Sequence, residues 1–246
     1  MTTPPQRFTQ RSPVFAIAAI VLMACGGCSQ QAPTTPAAPS ASAQAAANEA
    51  AAAKELTMYR QMLADHKDAF AAPIGEEIVQ KYPGTDAATE VGKTLPEMQA
   101  RLKATAEHDR LVNLWYYQTA DVQGLQHTAS IYATGHDRAD QIRLVLRRHV
   151  KWGQSVYLFG NGKGFVCKGN CNIPMTFDGK RETWKGYLPP TGEPAMFIKD
   201  DKRFIAALAK TKVITMDVET KAHGKQTLKF EVGGYNPTRF LPLPKR

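Results

Sequence analysis

The chain has 246 residues, with 31 Lys and Arg against 22 Asp and Glu, and four cysteines. The charge is lopsided: residues 1–110 hold 10 basic and 11 acidic side chains, and residues 111–246 hold 21 and 11. That length suffices for one or two domains with real cores; the basic distal half suits anionic partners, and no nucleic-acid-binding signature accompanies it.

The first expected element is a leader. Arg7 and Arg11 make a positive stretch, and residues 14–24 form an unbroken apolar run of 11. A spanning helix needs about 20 residues, so the run suits the core of an export signal. Leu22-Met23-Ala24-Cys25 closes it, with Leu three before and Ala one before the cysteine. This segment resembles the lipobox of bacterial lipoproteins. The resemblance implies removal of residues 1–24, a diacylglycerol on the Cys25 sulfur and an acyl chain on its amine. Three chains make a stable anchor, because each buried methylene is worth about 0.8 kcal/mol and one chain alone is marginal. Cys28 competes for the role but has Cys25, not Leu, three residues upstream. Gly26 stands where inner-membrane lipoproteins of enteric bacteria often carry Asp, which favours an outer-membrane address facing the periplasm.

Residues 25–48 are expected to be anchor and tether. Residues 29–48 are almost wholly Ala, Pro, Ser, Thr and Gln, uncharged and without apolar period. Such a stretch buries no core and reaches between about 25 Å coiled and about 70 Å extended. Residues 49–110 read as a helical spacer. Leu56, Tyr59, Leu63, His66 and Phe70 recur at spacings of three and four. Ile74, Ile78, Val79 and Tyr82 mark a second helix that Pro83-Gly84 stops. Thr85 then caps a third, which carries Ala88, Val91, Leu95, Met98 and Leu102. The turn Tyr82-Pro83-Gly84-Thr85 resembles the inter-helix turn of tetratricopeptide-type arrays over about one repeat, without the full motif's Trp, Leu and Gly positions.

From residue 111 to 246 the period changes to two. Strands are expected over 113–118, 125–134, 141–150, 155–159, 164–168, 172–177, 182–187, 195–198, 213–219 and 226–232. An amphipathic helix bearing Phe204 and Leu208 interrupts them over 201–212. Asn161-Gly162, Asp178-Gly179 and His223-Gly224 supply the positive φ angles of tight hairpins. The expected fold class is therefore α+β: an N-terminal helical segment followed by an all-β sandwich-like domain with one inserted helix.

Cys167 and Cys171 lie in that domain. In an oxidising compartment their C-x3-C spacing reads as a disulfide closing Lys168-Gly169-Asn170, the sulfurs opposite each other on adjacent strands. Closing so short a loop is worth about 2 kcal/mol. A metal site lacks further ligands nearby in sequence, and the C-x-x-C spacing of redox enzymes is absent.

Catalytic patterns are missing. Gly160-Asn161-Gly162-Lys163-Gly164 lacks the spacing and the helix of a phosphate loop. Beyond the tether the serines are Ser130 and Ser155, both in expected strands and neither in a nucleophile elbow. His127 lies near Ser130 in sequence, but a triad needs spatial convergence, which one sequence does not show. The adjacent carboxylates Glu76-Glu77 and Asp200-Asp201 diverge, and Asp201 suits a helix cap. The expectation is no enzyme, no catalytic residue, no metal and no cofactor.

The candidates for chemistry are surface groups. Arg143, Arg147, Arg148, His149 and Lys151 cluster on and after one strand. Alternation sends Ile142, Leu144 and Leu146 inward and Arg143 and Arg147 outward, where two guanidinium forks can clamp carboxylates or phosphates. Trp152 and Trp184, at strand ends, are expected to be partly exposed, and Trp115, Tyr116 and Tyr117 to pack where helices meet sheet. Arg143, Arg147, Arg148 and Trp152 are the expected partner-binding residues.

The distal half opens on an aromatic strand at Trp115 and has a Cys midway. Next come the hairpin Phe177-Asp178-Gly179-Lys180, Trp184 and the helix Arg203-Phe204-Ile205-Ala206-Ala207-Leu208. It closes on Thr227-Leu228-Lys229-Phe230-Glu231-Val232-Gly233-Gly234. This layout resembles small β-rich periplasmic proteins associated with type VI secretion and invasion loci. It is also similar to lipoproteins of plant- and soil-associated gammaproteobacteria. The likeness covers about half the chain and implies no catalytic residues; the second Cys and the helical preface depart from it. The expected function is an envelope-anchored, non-enzymatic binding or accessory module acting on another envelope protein or an anionic envelope polymer. The alternative is an immunity-type inhibitor of a periplasm-acting toxin or lysozyme.

Overall fold

The computed structural model describes residues 40–135, 141–160 and 162–244. Cys25, Cys28, the leader and most of the tether lie outside the described residues, as does Asn161 of one expected hairpin. Three helices come first: α1 (Ala41–Ala64), α2 (Asp68–Lys81) and α3 (Asp86–Asn113). α1 begins inside the stretch expected to be tether: residues 41–48 are helix, because alanine is the strongest helix former even without an apolar period. Ala45 ends a first unit, of which the described part is the opening of α1, where the Ser40 hydroxyl accepts the Ala43 N–H. The second unit is Ala46–Arg246.

The apolar stripe expected to run on through His66 and Phe70 is cut short. His66 has φ of 56°, and a left-handed residue cannot continue a right-handed helix, so α1 ends and Phe70 is left exposed at the start of α2. Leu56, Tyr59, Ile78, Val91, Leu95 and Met98 form the core of the three helices. Gly75 lets α2 in: a Cβ there would stand 2.8 Å from the Tyr59 ring. The Tyr59 hydroxyl then lies 2.7 Å from that of Thr94. Thr85 caps α3, its hydroxyl accepting the Ala88 N–H at 3.2 Å. Beyond this core α3 is exposed on all sides over residues 103–110 before it meets a second core at Trp115.

That second core belongs to nine strands. They are β1 (Tyr116–Asp121), β2 (Leu125–Tyr132), β3 (Ile142–His149), β4 (Gly153–Gly160), β5 (Asn170–Phe177), β6 (Lys180–Tyr187), β7 (Ala195–Ile198), β8 (Ile214–Thr220) and β9 (Gly224–Phe230). α4 (Asp201–Leu208) lies between β7 and β8 in the chain. All nine form one antiparallel sheet in the order β1-β2-β3-β4-β7-β6-β5-β8-β9, so the fold is mixed α+β. The sheet coils until its far edge meets the end of β2, where the Thr134 N–H donates to the Lys229 carbonyl at 2.8 Å. Alternate residues therefore point into a shared interior, where Leu144 and Leu146 from β3 belong to the same core as Met216 from β8 and Phe230 from β9. Phe204 and Leu208 of α4 and Phe240 near the C-terminus join the same core. Among the described residues no helix is long and apolar enough to cross a membrane.

Two expected strands differ. The strand read at 113–118 begins at Tyr116, because α3 continues through Asn113. Of residues 164–168 only Phe165 makes a bridge, to Thr220. The disulfide between Cys167 and Cys171 is present, yet it joins an incoming loop to β5 and not two paired strands.

Candidate functional site

Arg143 and Arg147 share the outer face of β3, four residues apart on one strand. The register sets their neighbours: Arg143 lies between Tyr132 of β2 and Phe159 of β4, and Arg147 lies opposite Ser155 of β4. The Arg143 guanidinium stands 5.6 Å from the Tyr132 ring and 5.5 Å from that of Phe159. Arg147 stands 5.2 Å from the Trp152 ring and 5.3 Å from that of Tyr157, and its Nε donates to Ser155 Oγ at 3.2 Å. Neither forms an ion pair with a carboxylate among the described residues. Stacking over aromatic rings holds a guanidinium in place while its N–H fork stays available.

The aromatic surface continues sideways. Tyr157 is the register partner of Phe197 in β7, which is the partner of Tyr187 in β6. Their ring centroids lie 4.9 Å and 5.4 Å apart, so three half-buried rings abut across three strands. Burial pushes the Tyr157 phenol up from its ordinary range; Arg147 and Arg143 oppose the shift and Glu193 adds to it. An open cleft of about 450 Å³ adjoins this row, between Ser155, Phe197 and Tyr187 on one side and Lys199, Asp200 and Asp201 on the other. Asp200 has φ of 60° and its side chain caps nothing, whereas Asp201 accepts from Gln154 Nε2 at 2.7 Å.

Trp152 is 48% exposed and belongs to this face. It stacks on His149 with ring centroids 3.7 Å apart. His149 is fully buried: its Nε2 donates to the Val122 carbonyl, and its Nδ1 accepts the N–H groups of Lys151 and Trp152. One histidine thus fixes the turn that presents the tryptophan.

Arg148 points the other way, as alternation requires. Its Nη1 donates to the Phe240 carbonyl at 2.7 Å, its Nε to Gln154 Oε1 at 3.3 Å, and its plane lies 4.1 Å from the Phe240 ring. The guanidinium closes the C-terminal segment onto the core. Trp184 differs from its expected exposure: it is 3% exposed and packed between Phe177 and Phe204, with Arg203 over its ring. His127 and Ser130 emerge on opposite faces of β2, with His127 Nδ1 2.8 Å from the Thr119 hydroxyl.

The residues that sequence reasoning missed are Tyr157, Tyr187 and Phe197. Their period-two positions were visible, but their adjacency follows from the order β4-β7-β6, which no local pattern signals. Comparison of the chain with protein-family models, with curated proteins and with solved structures gives no match.

Proposed function

We propose that this protein is a tethered binding module of the bacterial envelope, anchored through Cys25, whose Arg–aromatic face takes an anionic partner. The observation that carries the reading is the pair Arg143 and Arg147, outward on one strand and seated over aromatic rings without a carboxylate partner among the described residues. A carboxylate or phosphate group docked there gains charge-assisted hydrogen bonds from preorganised forks, and the rings supply apolar contact. The excess of basic over acidic residues in the distal half draws such a partner in from a distance. The β-region acts as one rigid platform, sandwich-like in that two parts of a single coiled sheet face each other across a shared core. The tether sets that platform away from the outer membrane, on its periplasmic side, without fixing its orientation.

The test is capture from envelope extracts by the full lipidated chain, with mass spectrometry, beside the same chain carrying Arg143→Ala and Arg147→Ala. The expected result is a partner rich in carboxylate or phosphate groups that the double variant fails to hold. Capture that survives both changes would show that this face is not the site.

A further inference from the structure

A gap opens in the sheet between β5 and β8. They pair only where Met175–Phe177 meet Ile214–Met216. The next position would set Pro174 against Asp217. The Asp178 N–H, four residues on, points to the β8 side, where it donates to the Val213 carbonyl. Alternation therefore aims the Pro174 nitrogen the same way, and proline has no N–H to give. The ladder stops there, and a cavity of about 570 Å³ lies beyond it. Ile173, Met196 and Val218 form its apolar depth, Cys171 forms one wall, and the carboxylates of Asp217 and Glu219 stand at its rim with Lys225.

Cys171 and Met196 line this cavity, and the disulfide sets the Cys167 sulfur directly behind its wall. Cys167 and Cys171 are bonded, and Met196 Sδ lies 4.0 Å from Cys171 Sγ. Three sulfurs in a trigonal plane at the usual metal–thiolate length of about 2.3 Å are about 4.0 Å apart. The Met196 to Cys171 separation already has that value. Backbone contacts independent of the disulfide hold the other positions. Cys171 is paired with Gly186 in the β5–β6 ladder. The segment before Cys167 is pinned to β8, with Val166 N–H donating to the Glu219 carbonyl and Lys221 N–H to that of Gly164. Among the described residues no cluster of three His, Cys, Asp or Glu side chains offers a site for harder ions. Two thiolates and a thioether form a soft, three-coordinate donor set that suits Cu(I), whereas structural zinc takes four ligands.

We propose that Cys167, Cys171 and Met196 form a Cu(I) site that is available when the disulfide is reduced. An external dithiol delivers two electrons and two protons to the Cys167–Cys171 bond and becomes a disulfide itself. Cu(I) then displaces the two thiol protons and takes both thiolates and the Met196 thioether as ligands. The third ligand comes from β7, 25 residues from Cys171 in the chain, which is why spacing alone leaves the set incomplete.

The test uses the full chain carrying Cys25→Ser and Cys28→Ser, so that Cys167 and Cys171 are the remaining cysteines. It is reduced with a phosphine under argon and titrated with Cu(I) against a chromogenic chelator, and far-UV circular dichroism is recorded before and after reduction. The expected result is one Cu(I) per folded chain, three sulfur neighbours by X-ray absorption, and no uptake by the oxidised protein. Met196→Leu, close in volume, is expected to weaken binding at least about tenfold, and Cys171→Ser to abolish it. Equal affinity in the Met196→Leu protein, absence of uptake by the reduced chain, or loss of the fold on reduction would each overturn the proposal.

Discussion

Arg147 and Arg148 are neighbours in sequence with opposite employment. Alternation on β3 sends Arg147 to the aromatic outer face and Arg148 to the core side, where it holds the Phe240 carbonyl and ring. Arg148→Ala removes two charge-assisted hydrogen bonds and a stacked contact, and should cost about 2 kcal/mol in a thermal or urea melt. Partner binding should survive that change, which separates it from Arg147. A second residue-scale prediction concerns Tyr235, whose phenol is pushed up to about 12 by burial, with Arg148 opposing and Tyr117 adding. A tyrosine in the unfolded chain ionises near about 10. Between those values the native state keeps a proton that the unfolded state has released, so stability falls as pH rises from about 10 to about 12 and is untouched below. Tyr235→Phe should flatten part of that fall in urea midpoints measured across the range; an unchanged slope would count against it. At this scale the outward placement of Arg143 and Arg147 was legible, because a period of two fixes it. The burial of Trp184 was not, because it depends on Phe204 arriving from α4.

At the scale of elements, the joint between α3 and the sheet rests on a glycine. Gly234, in the 3-10 turn Val232–Gly234, lies so close to α3 that a Cβ would stand 2.2 Å from the Leu111 carbonyl carbon. Gly233 has room, its hypothetical Cβ meeting nothing nearer than 3.4 Å. Gly234→Ala should therefore cost at least about 2 kcal/mol, lowering the melting temperature by about 4 to 8 °C, while Gly233→Ala costs much less. Equal effects of the two changes would contradict this packing. α2, α3, the Thr85 cap and most strands could be read from periodicity and stop signals, whereas the opening of α1 at Ala41 could not, because its alanines carry no apolar period. The break at His66 could not, since a φ of 56° in a non-glycine residue is set by how α1 and α2 must turn. The run-on of α3 to Asn113 also escaped, because its last turns are held by Trp115 and the Val232 turn, which lie outside any local window.

At the scale of the molecule, two cores are joined by α3, and the features with chemical promise all sit on the second. The order β4-β7-β6 builds the row of rings beside the arginines, and the interruption between β5 and β8 opens the sulfur-lined cavity. Neither arrangement has a sequence signature, because strands that are distant in the chain become neighbours through the strand order of one sheet. The central claim is that Arg143 and Arg147 grip an anionic group. It is tested most directly by the dissociation constant of the captured partner, measured over a range of salt for the wild-type chain, the Arg143→Ala/Arg147→Ala double variant and Arg148→Ala. The account predicts wild-type affinity for Arg148→Ala. For the double variant it predicts affinity at least about tenfold weaker, with a shallower salt dependence. A double variant that binds as tightly as the wild type at every salt concentration would contradict it.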